Sequence, residues 1–580
     1  MKKKHFLRSL IPSLEWLSDY SFGLFKKDFA AGMNVLVILV PQGMAYALLA
    51  GVPPIYGLYA GLVPLLLYAL LGTSMHLSIG PAAISSLLLM EGISQVAEPE
   101  TASFVKYVLL TGLIVGLLQL LFGIARLGFW IRFLSRPVII GFTSAAAIII
   151  GTSQFKYLLG FDIPRSPSLL ETWTYVGRNL DQFHPLTFAL CIGGLALIYL
   201  FRRIHRAIPG GLIAAVLAIA AAIFFKLDTK GVEIVGELPQ GLPHFQLLWF
   251  SWADLQAVLP TAILLAFLSM VESVGIAKFW SVKSNSNYFD ANKELIAYGI
   301  SKIGGAFFQA LPASGSNSRS AVNFQSGAQT QMSSIVSAVF MALTLLFFSQ
   351  LFYYLPKAIL ASIILLAVTS LFSYREIRQL WDTHRPDFWA AVLTFSATII
   401  LGVRDGILLG VFFAVLTVLY QNARPHVALL GRLPDSQYYR NLERFPLAQA
   451  IPHCLIVRFD NALYYFNVLH FTDTLEELID QAEDRIECVI LDASKIHTVD
   501  SSGLRTLEQF QVFLSNRNIT LYFCGLIGPA RDQLAQNGLL KKIGTDRQFL
   551  TVHDAVLHYQ DQTQSYPWKK EAVQTNIEKT

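Results

Sequence analysis

Residues 311–330 read LPASGSNSRSAVNFQSGAQT, a run rich in hydroxyls and amides that carries one arginine and sits among long apolar segments. Soluble loops often have this composition. At membrane depth, irregular backbone is tolerated only where protein buries it or a wet cavity adjoins it. Pro312 suits the first turn of a helix, where its missing N–H would be unpaired anyway. Gly315 removes bulk, Ser314, Ser316, Asn317 and Ser318 offer donors, and Arg319 brings a fixed positive charge. A helix N-terminus has free N–H groups and a positive dipole end, and so binds anions readily. The stretch is either a polar cytoplasmic loop or a broken helix at a binding site.

An earlier stretch favours the second alternative. Residues 78–86 read SIGPAAISS, again a Gly/Pro-initiated, hydroxyl-bearing start that runs into apolar sequence. Aligning Pro81-Ala82-x-x-Ser85 with Pro312-Ala313-x-x-Ser316 gives an offset of 312 − 81 = 231 residues. Broken segments at matching positions of two halves point to a transporter site at a repeat interface. The same offset carries Pro41 onto Glu272, the only acidic residue between Ala257 and Ala277.

Composition agrees. The 580 residues are 54% hydrophobic and 14% charged, with a mean hydropathy of +0.50. Soluble domains carry roughly 25% charged residues, so most of this chain belongs in a lipid bilayer. The net charge of +5 needs no nucleic-acid partner, because an excess of Lys and Arg on the cytoplasmic side accounts for much of it. The four cysteines (Cys191, Cys454, Cys488, Cys524) show no paired metal spacing. No metal or cofactor is expected, and the three C-terminal cysteines are expected reduced and in a core. Met1-Lys2-Lys3-Lys4 is basic, but no apolar core follows at a signal peptide's distance.

In chain order, residues 1–27 form an N-terminal segment with an amphipathic piece at 10–25. Apolar segments follow near 29–49, 55–72, 80–97, 104–125, 136–158, 184–201 and 209–226. A polar link, 227–250, precedes a second set near 254–278, 290–310, 312–326, 330–354, 356–373, 386–402 and 405–421. Several are shorter than the roughly 20 residues that span a bilayer, as half-helices would be. The transporter domain is thus read over 28–425, with repeats over 28–226 and 254–423. Basic clusters at the N-terminus, Arg126/Arg132/Arg136, Arg202/Arg203/Arg206, Lys278/Lys283 and Arg375/Arg378/Arg385 fall on one side, and Glu98 and Glu100 on the other. The basic side is cytoplasmic, which puts both termini inside.

From residue 437 to 560 strands and helices alternate: strands at Cys454, Cys488 and 519–524, and helices at 471–483, 502–516, 530–537 and 552–559. This spacing implies a small α/β domain. The tail, 561–580, is polar.

At this level of detail the chain resembles the sulfate permease (SulP) family over nearly its whole length. The resemblance is carried by Pro41-Gln-Gly-Met-Ala-Tyr-Ala47, Leu49-Ala-Gly-Val-Pro-Pro-Ile-Tyr-Gly-Leu-Tyr59, Gly80-Pro81, Ser318-Arg319-Ser320-Ala-Val-Asn323 and Gly327-Ala-Gln-Thr-Gln331. The C-terminal domain resembles a STAS domain through Leu491-Asp492-Ala-Ser and Val499-Asp500-Ser501-Ser502-Gly503-Leu504.

The resemblance implies a multi-pass α-helical membrane protein with a 7+7 inverted repeat, shared with uracil permeases. A core domain (segments 1–4 and 8–11) would move against a gate domain (5–7 and 12–14), in a homodimer of the bacterial inner membrane with the STAS domain in the cytosol. It further implies an anion held between the N-termini of half-helices three and ten, flanked by segments one and eight. On this chain those are the backbone of Ala82, Ala83 and Ile84, the start at Ser316, Asn317 and Ser318, and the side chains of Gln42 and Tyr46. Arg319 either adds a full charge beside the anion or snorkels to the interface.

Glu272 is costly in an apolar helix and by default marks function. An anion in the pocket favours its protonated form, so proton and anion uptake at Glu272 would be coupled; a structural ion pair with Arg319 is the alternative. Sodium-coupled bicarbonate relatives have an aspartate here followed four residues later by threonine. This chain has Glu272 and Ile276, which resembles the proton-coupled sulfate importers.

Proton-coupled sulfate uptake is therefore expected, with bicarbonate, chloride or dicarboxylate as alternative substrates. An anion channel, or a scaffold recruiting a cytosolic partner through the STAS domain, is the reading from a different class. No catalytic constellation argues for an enzyme. Ser501 matches the phosphate-accepting serine of anti-sigma-factor antagonists, or else caps the helix behind it.

Overall fold

The protein is described by a computed structural model over residues 12–18, 20–129, 135–164, 169–204, 209–284, 289–482 and 484–563. Readings placed on residues 1–11, Arg132, Arg206 and 564–580 lie outside the described residues. The chain divides into two compact units, Met1–Ala414 and Val415–Thr580.

After a short helix at Ser13–Leu17, the first unit continues with α1 (Phe22–Leu49), α2 (Pro54–Ala60), α3 (Val63–Leu71), strand β1 (Ser78–Gly80), α4 (Ala83–Ile93) and α5 (Ala102–Ile124). Next come α6 (Arg136–Ser153), α7 (Phe155–Leu159), α8 (Leu169–Arg178), α9 (Pro185–Ile204) and α10 (Gly210–Phe225). The remainder is α11 (Trp252–Lys283), α12 (Ala291–Phe307), β2 (Ser314–Ser316), α13 (Asn317–Gln325), α14 (Met332–Leu343), α15 (Lys357–Thr369), α16 (Tyr374–Thr383), α17 (Arg385–Leu401) and α18 (Val403–Ala423), within which the second unit begins.

Among the described residues nine helices are long and apolar enough to cross a membrane, while α4 and α10 are shorter apolar helices. Large apolar side chains such as Leu121, Ile124, Phe224, Phe225, Phe347 and Ile400 remain exposed, as a lipid-facing belt requires.

Two groups of helices pack within this unit. In one, α1, α3, α5, α11, α12 and α14 contact one another; in the other, α6, α9, α10, α15 and α17 do. Small residues set the closest approaches. A Cβ at Gly116 of α5 would meet Gly299 O of α12 at 2.8 Å, and one at Gly299 would meet Leu120 N at 2.6 Å. Where helices begin, polar side chains take up the free N–H groups. Ser251 and Asp254 form a capping box on α11, and Asp290 accepts from Asn292 N and Lys293 N at α12.

Two expectations about prolines change. Pro312 precedes α13 by five positions and Pro81 lies between β1 and α4, so neither opens its helix. Instead the residues around them are extended and pair antiparallel, Ser78 with Ser316, Ile79 with Gly315 and Gly80 with Ser314.

The second unit is a six-stranded sheet in the order β4-β3-β5-β6-β7-β8. The strands are β3 (Val427–Arg432), β4 (Tyr439–Asn441), β5 (Cys454–Phe459), β6 (Cys488–Asp492), β7 (Thr520–Cys524) and β8 (Gln548–Phe549). β5 through β8 run parallel, while β3 and β4 are antiparallel additions.

Helices α19 (Val468–Asp480), α20 (Ser501–Asn516), α21 (Gly528–Gln536) and α22 (Leu539–Ile543) bring Phe471, Leu507, Leu534 and Leu539 onto Val457, Leu491 and Phe523. The alternate residues of the same strands, among them Cys454, Cys488 and Cys524, pack with α23 (Val552–Thr563) through Ala555, Val556 and Tyr559. The three cysteines are buried and unbonded. The sheet starts at Val427, ten residues ahead of the boundary read at 437. Ser501 is not the cap of α20: Asp500 is, accepting from Gly503 N at 2.8 Å.

Candidate functional site

Residues distant in sequence build one cradle. The β1–β2 pairing brings the starts of α4 and α13 together, and Ser85 and Ser314 share a hydroxyl hydrogen bond of 2.9 Å across it. Ser78 N donates to Ser320 Oγ at 3.0 Å. Gly315 N donates to Ser273 Oγ of α11 at 2.8 Å, and a Cβ at Gly315 would stand 3.1 Å from Ser273 Cα. Glycine is what lets β2 lie against α11.

Two buried carboxylates hold the loops that lead into this cradle. Glu294 accepts from Thr73 N (2.7 Å), Ser74 N (2.7 Å) and Tyr68 OH (3.0 Å), fixing the approach to β1. Asp28 accepts from Gln329 N (2.6 Å) and Thr330 Oγ1 (2.6 Å), fixing the loop after α13.

Both helix starts are left open. Residue 82, the N-cap of α4, is an alanine with no capping side chain. At α13, Ser316 Oγ accepts weakly from Arg319 N at 3.4 Å, while Asn317 and Ser318 stay exposed. A cavity of about 1050 Å³ lies over these ends. Its wall includes Gln42 and Tyr46 of α1, Ala82, Ala83 and Ile84, Ser316, Asn317 and Ser318, and Glu272 of α11. Each of these was singled out from sequence, and the structure brings them together.

Arg319 stands one layer behind that wall. It is 0% exposed and donates through Nη1 to Gln42 Oε1 (3.2 Å) and Pro81 O (3.0 Å). Its Nε and Nη2 have no hydrogen-bond partner among the described residues. A Cβ at Gly80 would come within 3.1 Å of Nη2, so glycine makes room for the guanidinium. Glu272 Oε2 is likewise without a partner, and no ion pair within 4 Å joins Glu272 to Arg319 among the described residues. The alternative of a structural ion pair is not formed.

Such an arrangement binds anions. Two dipole ends and a buried guanidinium supply positive potential, and Glu272 is a carboxylate in the same wall. The wall also includes the exposed Arg202 and Arg203, taken from sequence only as markers of orientation.

Sequence inspection passed over Asp28, Glu294 and Lys302. All three are charged residues inside or at the edge of apolar segments, and that contrast is the signal that finds them. No group of His, Cys, Asp and Glu able to hold a metal occurs among the described residues.

The chain is similar to known proteins in sequence and in fold. The sulfate permease family profile covers residues 25–394 and the STAS domain profile residues 445–555. Chloroplastic sulfate transporter 4.1 of Arabidopsis thaliana is 36% identical over 577 residues, covering 96% of this chain and 83% of that protein. High affinity sulfate transporter 2 of Stylosanthes hamata is 32% identical over 583 residues, with 97% and 88% covered. Among solved structures, the murine Solute Carrier 26 family member A9 anion transporter in its inward-facing state superposes with a TM-score of 0.88 at 26% identity, covering 96% of this chain and 95% of that one. The transmembrane domain of the cyanobacterium bicarbonate transporter BicA gives 0.59 at 22% identity, covering 68% and 98%.

Proposed function

The chain belongs to the sulfate permease family and is an anion transporter with a C-terminal STAS domain, and on that premise we propose that it takes up sulfate together with a proton by alternating access. The observation that carries this proposal is the shared cavity: the uncapped end of α4, the weakly capped end of α13, Gln42 with Arg319 buried behind it, and Glu272, whose Oε2 has no hydrogen-bond partner among the described residues.

Sulfate would accept from the amides of Ala83, Ile84 and Ser318 and from the Gln42 and Ser318 side chains, with Tyr46 shaping the wall. Arg319 acts through its field and by holding Gln42 in place. Glu272 would carry the proton: an anion bound beside it makes its charged form unfavourable, and reciprocally a protonated Glu272 binds the anion better.

The helix group holding the cradle would be the moving core, the α6–α9–α10–α15–α17 group the gate, and the two halves a 7+7 inverted repeat. The exposed Arg202 and Arg203 line the cavity, so with that basic side cytoplasmic the state would be inward-facing. A homodimer in the cell membrane, with both termini and the STAS domain cytoplasmic, completes the assignment. Ser501, exposed in the first turn of α20, would be the site of regulation. A phosphate there would repel Asp500 and loosen its hold on Gly503 and Tyr465.

Labelled sulfate uptake into proteoliposomes, with and without an inward proton gradient, tests the proposal on wild type and Glu272→Gln. Uptake should rise with the gradient and lose that dependence in the variant. Sulfate flux indifferent to both overturns proton coupling, and absence of sulfate flux overturns the substrate.

A further inference from the structure

Lys302, about two-thirds of the way along α12, is 2% exposed. Its ammonium donates to Gln119 Oε1 of α5 at 2.8 Å and lies 5.7 Å from the centre of the Tyr298 ring. The Gln119 amide donates onward to Ser269 Oγ (2.8 Å) and Ala266 O (3.1 Å) of α11. One turn along α11, Ser273 accepts from Tyr298 OH at 3.2 Å and from Gly315 N at 2.8 Å. Lys302 is thus tied, through neutral groups only, to the stretch of α11 that backs the cradle.

The charge has no local counterpart. Among the described residues no carboxylate lies within 4 Å of the Lys302 ammonium. Three residues beyond Ser269 on α11, Glu272 lines the cavity. A lysine held inside the bilayer is expensive, and filling this space or bonding Gln119 needs no charge. What a lysine adds there is positive potential at the cavity, transmitted through a weakly screening interior.

We propose that Lys302 is a charge-selecting residue, which from behind α11 raises the potential of the cavity so that a divalent oxyanion is preferred to a monovalent one. This rests on the cavity being the anion site. Coulomb energy scales with the product of the charges. Removing the positive charge of protonated Lys302 therefore weakens a divalent anion by the square of the factor that it weakens a monovalent anion of the same shape.

Selenate and perrhenate, both tetrahedral oxyanions, are suitable probes as competitors of labelled sulfate uptake by the full-length protein. In Lys302→Gln, which keeps a hydrogen-bonding partner for Gln119, perrhenate inhibition should weaken about tenfold and selenate inhibition about a hundredfold. Lys302→Met should behave alike, and Lys302→Arg should keep the wild-type ratio. Equal factors for the two anions, an unchanged selenate constant, or a ratio lost in Lys302→Arg overturns the proposal. Gln42→Ala and Ser318→Ala test the site itself: unchanged constants for both anions there would overturn the cavity assignment, independently of Lys302.

Discussion

Helices α4 and α20 both begin at a turn rich in small and hydroxyl residues, one in the apolar unit and one in the STAS domain, yet they end differently. At α20 the Asp500 carboxylate accepts from Gly503 N at 2.8 Å and from Tyr465 N at 2.9 Å, so the protein supplies its own anion to the helix dipole. At α4 the equivalent position is Ala82, which supplies nothing, and α13 opposite has only a long serine contact. A soluble helix gains stability from a cap. A transporter gains a ligand site by withholding one, provided other residues hold the helix in place. Here β1–β2 pairing, Asp28 and Glu294 take over that structural task.

The contrast can be broken by exchanging the caps. Ala82→Asp gives α4 its own carboxylate, in backbone geometry already extended as an N-cap requires. Sulfate affinity should fall by more than about a hundredfold, because one anion now fills the site and repels another. Tryptophan fluorescence and size exclusion should still report a folded protein.

Removing the charge behind the cradle is a milder change. Arg319→Ala leaves Gln42 unheld and should weaken sulfate binding roughly tenfold to a hundredfold, the scale of a charge-assisted contact. Unchanged affinity would put the anion elsewhere. The smallest effect belongs to the capped helix. Asp500→Ala should lower the stability of the STAS domain by about 1 kcal/mol, read by thermal unfolding, and leave sulfate affinity alone.

Much of this was legible before any coordinates. Hydroxyl-rich breaks in apolar sequence mark both half-helices, but the 231-residue offset between Pro81 and Pro312 carries β1 onto residues 309–311 and misses its partner β2 at 314–316. That Pro81 and Pro312 lie outside the helices was not legible. Antiparallel pairing between residues more than 230 positions apart outweighs the local preference of proline for a first helical turn. Arg319 was visible as a charge, but not its direction. Whether a guanidinium enters a cavity or lies behind its wall depends on Gly80, Pro81 and Gln42 meeting there. Lys302 looked like one cation in a long segment until packing brought Gln119 and α11 to it. In the STAS domain β5, β6 and β7 were legible as short strands alternating with helices, whereas β3, β4 and β8 were not and depend on pairing with neighbouring strands.

The central claim, that the uncapped end of α4 and the weakly capped end of α13 hold the anion, is tested most directly by locating a heavy oxyanion. Selenate soaked into crystals of the protein, with anomalous diffraction at the selenium edge, gives its position without interpretation of solvent density. The account predicts one peak within hydrogen-bond reach of the amides of Ala83, Ile84 and Ser318, in front of Arg319. A peak only at Arg202 and Arg203, with the cradle empty, would contradict it.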